Sequence, residues 1–112
     1  MYKEIGKRLI KRIERLEAFE ERMQIRLENF TIKVDEEKWV RILFEVYPID
    51  GTTIDSNMNI ECILYDKENS ILEKDYTYIT SEDFFGFEVV ELNFQEDGIA
   101  DEIDKIRIYP KK

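Results

Sequence analysis

The stretch LEAFEERMQIRLENFTIKV, residues 16–34, changes hydrophobic period in its middle. Up to Arg22 and just beyond, Ile5, Leu9, Ile13, Leu16, Phe19 and Met23 recur every three or four residues, the spacing of one helix face. Downstream the apolar residues mostly alternate with polar ones, first as Met23, Ile25 and Leu27 and later as Val40, Ile42, Phe44 and Val46. That two-residue period belongs to half-buried strands. The expected fold is mainly β: a small antiparallel β-sandwich, Ig-like, of six to seven strands, preceded by one N-terminal amphipathic α-helix. The division falls at 1–22 for the helix and 23–112 for the sandwich.

The helix is expected from Tyr2 to Glu21, rich in Lys, Arg, Glu, Leu and Ala. Gly6 in its first turns costs about 1 kcal/mol relative to Ala and predicts fraying. The apolar run then slips by one residue, from Met23, Ile25 and Leu27 to Phe30, Ile32 and Val34. A β-bulge at Glu28-Asn29 would produce that slip. Trp39 to Tyr47 reads as the clearest strand, ended by Pro48. Met58, Ile60, Cys62 and Leu64 read as the inward face of the next. Asp66 to Asn69 is a hairpin turn, Ile71 to Ile79 the return, and Ile106 and Ile108 mark the last strand. Phe85 to Phe94 is apolar on both faces, a sign of a covered strand, and the helix stripe is the expected cover. Alternation places Val40, Ile42, Phe44, Ile60, Leu64, Val90 and Leu92 in the core.

At the Asp66 hairpin, Cys62-Ile63-Leu64-Tyr65-Asp66 followed by Lys67-Glu68-Asn69-Ser70-Ile71-Leu72 resembles the FxLYD domain. Cys62 stands where that family has its name-giving Phe. The resemblance implies a bacterial β-sandwich module and carries no catalytic residues. Members are mostly extracytoplasmic, often behind a lipoprotein leader.

For 112 residues one domain is the natural count, large enough to bury roughly 65% of its unfolded surface without disulfides or metals. Charged residues make up 38%, above the ~25% average, and alternating strands supply the solvent-facing positions they need. The net charge of −9 is unevenly placed. Residues 1–28 hold eight basic and six acidic groups, and the remaining 84 hold nine and twenty. An acidic body argues against a nucleic-acid partner, since phosphate contacts dominate such affinity. The basic helix is free to dock on its own sheet, on another copy, on an acidic partner or on an anionic membrane.

Catalytic chemistry is largely absent. The chain has no histidine, which removes His-assisted nucleophiles and His-liganded zinc. Its one cysteine, Cys62, can form neither an intrachain disulfide nor a thiolate cage, and strand alternation points it inward. The four glycines are scattered and make no phosphate loop. Asp55-Ser56-Asn57-Met58-Asn59 opens like an EF-hand loop, but Ile60 and Asp66 stand at its required Gly and Glu positions. Up-and-down connectivity would bring Asp35, Glu36, Asp66, Glu68, Asp97 and Asp101 to one end of a sandwich. Such a rim could gather calcium, or simply blunt strand edges and aid solubility.

The expectation is therefore not an enzyme, with no cofactor and no metal. It is a non-enzymatic protein-interaction module whose partner is another protein or itself, as a homodimer through Ile5, Leu9, Ile13, Leu16 and Phe19. The runner-up is a small acidic inhibitor or immunity-type protein for a basic target such as a nuclease. Peripheral membrane attachment through the basic helix stands third. With a lone cysteine and no visible signal peptide, the expected place is the cytoplasm of a bacterium, or outside it if a leader has been removed.

Overall fold

A computed structural model describes residues 2–112. The element order is α1 (Tyr2–Ile10), β1 (Ile13–Arg15), α2 (Glu17–Met23), β2 (Ile25–Val34), β3 (Val40–Pro48), β4 (Met58–Tyr65), β5 (Ile71–Ile79), β6 (Glu88–Phe94), α3 (Ile99–Glu102) and β7 (Lys105–Lys111). Seven strands form two sheets, one ordered β1-β7-β4-β5 and the other β2-β3-β6. The smaller sheet is antiparallel, whereas β1 runs parallel to β7 and makes the larger one mixed. β7 lies between β1 and β4, while immunoglobulin sheets place the last two strands side by side. The Ig-like part of the expectation is thus not shown. Among the described residues no helix is long and apolar enough to cross a membrane.

The core lies between the sheets. Val40, Ile42, Phe44, Ile60, Leu64, Val90 and Leu92 are all buried in it, as alternation requires. The slip in β2 is a register shift between Glu28 and Thr31, with Asn29 at φ 58°. Left-handed backbone suits asparagine better than most residues.

The single N-terminal helix is corrected. Two short helices flank β1, whose Ile13, Glu14 and Arg15 pair with Ile106, Arg107 and Ile108. The competing force is tertiary. β7 has a free outer edge, and the chain at residues 13–15 supplies its missing backbone partners. The Ile106 amide also donates to the Arg12 carbonyl at 3.0 Å, and Arg107 pairs with Glu14 at 2.8 Å. Helix propensity differences of tenths of a kcal/mol per residue do not outweigh the backbone pairing with β7. α2 then ends at Gln24, left-handed at φ 60°, whose amide bonds the carbonyls of Glu20 and Glu21.

α1 packs along β2, the outer strand of its sheet. Leu9 is fully buried there, and Gly6 lies against the Ile32 carbonyl. One side of the sandwich is closed in this way by α1, β1 and α2. On the other side β5 and β6 are the outermost strands of their sheets and approach each other.

Candidate functional site

Of the expected helix interface, Leu9 is core, Ile5 and Ile13 pack half-buried against the core, and Leu16 is the half-buried residue preceding α2. Phe19 is exposed, edge-on to Tyr109 with ring centroids 5.5 Å apart. These five residues belong to three elements and do not form one exposed stripe. Their apolar surface is mostly covered inside the chain.

The loops that carry the six acidic residues lie beside one another. The Gly98 and Ala100 amides donate to the Glu37 and Lys38 carbonyls, and the Asp104 amide to Tyr65. Most of these carboxylates do structural work there. Asp35 Oδ1 accepts from the amides of Glu37 and Trp39, and Asp66 Oδ1 from those of Glu68 and Ser70. The two turns match, each ending in a left-handed residue, Lys38 at φ 62° and Asn69 at φ 63°. Asp97 accepts from Trp39 Nε1 at 2.8 Å, and Asp101 pairs with Lys38 Nζ at 2.9 Å. Glu36 and Glu68 are exposed. Among the described residues no group of three or more acidic, Cys or His side chains is placed to hold a metal ion.

Cys62 is fully buried and points inward from β4. Burial, and next the nearby charge of Asp75, push its thiol well above its ordinary value of 9.0. A neutral thiol of this kind is a small apolar side chain, not a nucleophile. Because the folded pKa is the higher one, its stabilising contribution is complete below about pH 9 and declines as pH rises above that. The native protein is expected to resist an aromatic disulfide reagent and to label only at its global unfolding rate, whereas denatured chain labels at once. Fast labelling of the native state would refute the burial.

The surface feature that sequence reading missed lies at the opposite end from the acidic rim. The expected strand Phe85 to Phe94 begins only at Glu88, and its outer apolar face is not covered by the helix. Phe84 is buried as an anchor, while Phe85, Phe87 and Val89 are 76%, 48% and 58% exposed. Gly86 sits between the two exposed phenylalanines at φ 81°. The Phe87 amide donates across it to the Phe85 carbonyl at 3.0 Å, closing a tight three-residue turn that suits glycine. The Gly86 amide donates to the Thr52 carbonyl at 2.7 Å and ties the turn to the β3–β4 loop. Backbone bonds therefore hold Phe85 out into solvent.

Comparisons of the chain with models of protein families, with curated proteins and with solved structures return no match.

The neighbours of Phe85 extend this surface. Phe87 stacks on Tyr47, ring centroids 5.4 Å apart and planes 15° from parallel, and Arg26 lies 5.5 Å from the Tyr47 ring. Tyr47 donates its hydroxyl to Glu45 at 3.2 Å. Partial desolvation, and then that bond, raise the hydroxyl's pKa. Val89 shares a cleft of about 240 Å³ with Tyr78 of β5, itself 57% exposed, and with Asp83 and Glu88. The result is an aromatic strip that runs from Tyr47 on the central strand β3 to Phe87 and Phe85 just before β6, with Tyr78 across the β5–β6 cleft from Val89. The signal in the sequence was Gly86 itself, since glycine inside a strand pattern marks a break or a close approach.

Proposed function

We propose that this chain is a non-enzymatic protein-interaction module that engages its partner through the aromatic strip of Phe85, Phe87, Tyr47 and Tyr78. The observation that carries the reading is Phe85, 76% exposed at a turn fixed by two backbone hydrogen bonds. Folding alone gives no reason to present it, because an exposed phenylalanine gains nothing from burial. A partner that covers it gains the full apolar payload of the ring. Aromatic anchors on rigid supports are what dominate protein interfaces. The hairpin that resembles the FxLYD domain forms β4 and β5 and adds support for a sandwich module of this kind.

The runner-up, an acidic inhibitor or immunity-type protein, uses the same surface with a more specific target. Glu45, Asp83 and Glu88 adjoin the strip, and Arg26 already rests on Tyr47. A basic protein could replace that contact with its own arginines. Self-association through the helix is the weaker form of the reading. Leu9 and Gly6 are already committed to the core and to β2, and two copies of charge −9 repel each other.

The test is affinity capture from a native host with the intact chain and with Phe85→Ser/Phe87→Ser, at low and at moderate salt. Phe85→Ser is at an exposed site and Phe87→Ser gives up the stacking on Tyr47, so stability is expected to fall by about 1–2 kcal/mol, which leaves the chain folded. Proteins retained by the intact chain and lost by the double variant support the module. Salt sensitivity of that retention favours the acidic-inhibitor form. An identical set retained by both chains overturns the reading.

A further inference from the structure

A groove lies between α1 and β2, apart from the aromatic strip. It has a volume of about 540 Å³, within the ~300–1,000 Å³ of ordinary ligand pockets. Tyr2, Ile10 and Val34 give it apolar walls, and none of the three is fully buried. Lys3, Lys7 and Lys33 stand around it, all exposed. No carboxylate lines it, although the chain has 26 acidic residues against 17 basic ones. None of the three lysines is in an ion pair among the described residues, as is also the case for eight other basic residues, so what marks the groove is the placing of three lysines beside one apolar trough.

We propose that this groove binds a single-chain anionic amphiphile such as a long-chain carboxylate. The head sits among Lys3, Lys7 and Lys33, and the alkyl chain lies on Tyr2, Ile10 and Val34. Two features select this class. Three lysines line one groove with no carboxylate among its described lining residues, so its charge complements an anion. The apolar walls demand a chain narrow enough to enter between a helix and a strand. From Lys3 to Ile10 the helix runs roughly 10 Å, so the groove is a trough that takes a flexible tail lengthwise. A flat anionic membrane meets the lysines but not the recessed walls. A small anion without a tail leaves those walls wet.

The experiment is a methyl-resolved NMR titration of the full chain with dodecanoate, kept below its micelle concentration, at low salt. Saturable shifts at the Ile10 and Val34 methyls are expected. Dodecyltrimethylammonium, with the same tail and the opposite charge, is expected to leave them nearly unmoved, as is glutarate, which has charge and little tail. The triple variant Lys3→Gln/Lys7→Gln/Lys33→Gln replaces only exposed side chains. Its core spectrum is expected to stay the same while dodecanoate binds about tenfold more weakly. The proposal is overturned by absent or unsaturable shifts, by equal binding of the cationic amphiphile, or by unchanged affinity in the variant. An oligoglutamate peptide that shifts the same methyls as strongly would move the site to an acidic polypeptide. Sedimentation with phosphatidylglycerol vesicles, without any dodecanoate shift, would move it to the membrane surface. Each of these results leaves the aromatic strip untouched, since Phe85 and Phe87 are not part of this groove.

Discussion

Replacing Glu20 by Ala is expected to lower stability by about 2–4 kcal/mol, a large share of a typical ~5–15 kcal/mol. Glu20 is 4% exposed, the only charged residue that is buried among the described residues. Its carboxylate takes two bonds from the Arg15 guanidinium, at 3.1 and 2.6 Å, and a third from the buried Leu27 amide at 3.1 Å. The same hydrogen bond to Glu20, partly opposed by desolvation, holds the Arg15 guanidinium above its ordinary pKa. One side chain therefore ties β1, α2 and β2 together. Alanine leaves the Leu27 amide buried without a partner and Arg15 without its counter-ion. The loss stays below that of a wholly buried pair because the Arg15 side chain is 37% exposed and keeps access to water. Glu20→Gln keeps an acceptor for Leu27 and is expected to lose about half as much. Denaturant unfolding of the three chains decides it. Equal stability of Glu20→Ala and the intact chain would show that α2 is not held by this carboxylate.

The contrast between what was legible and what was not follows the range of the forces involved. Alternation in Val40 to Val46 and Met58 to Leu64 reports which face of a strand is buried, and burial dominates there. Those strands and their core residues could be read directly. The bulge at Glu28-Asn29 was legible because a slip of one residue flips every later side chain. The sheet pairing of Ile13 to Arg15 was not, because three residues carry no usable period and their partner lies more than ninety positions away. The helical spacing of Ile13 and Leu16 was real but misleading, since either residue can meet the core from strand, turn or helix. Glu20 looked like any exposed helix glutamate, and only Arg15 and the Leu27 amide make its burial tolerable. For the candidate site, composition alone removed histidine chemistry, and alternation placed Cys62 inward, where it is buried. The aromatic strip could not be located, because the same alternation describes a covered strand and an exposed one. What separates them is that α1 packs on β2 and not on β6, with Gly6 allowing the close approach to Ile32.

Gly6→Ala puts two local rules in opposition, and the sign of the result says which governs. Inside an exposed helix the substitution is expected to stabilise by about 1 kcal/mol, since alanine loses less backbone entropy and has the higher helix propensity. In this fold Gly6 is buried, and a Cβ built on it falls well inside van der Waals contact with the Ile32 carbonyl oxygen and 3.3 Å from the Ile32 carbonyl carbon. Both are backbone atoms of β2, held by its ladder with β3, where Ile32 pairs with Ile42. They cannot turn aside as a side chain would, so the helix must move away and lift Leu9 from the core. A net loss of about 1–3 kcal/mol is therefore expected for Gly6→Ala, and more for Gly6→Val. Hydrogen exchange gives the location. Amides of α1 should lose protection first, while those of β3 and β4 follow only the global change. Leu9→Ala opens the same contact from the helix side and should weaken α1 protection without straining β2. If Gly6→Ala stabilises the protein instead, then α1 is an exposed helix, its apolar stripe is free, and the homodimer regains the surface it requires.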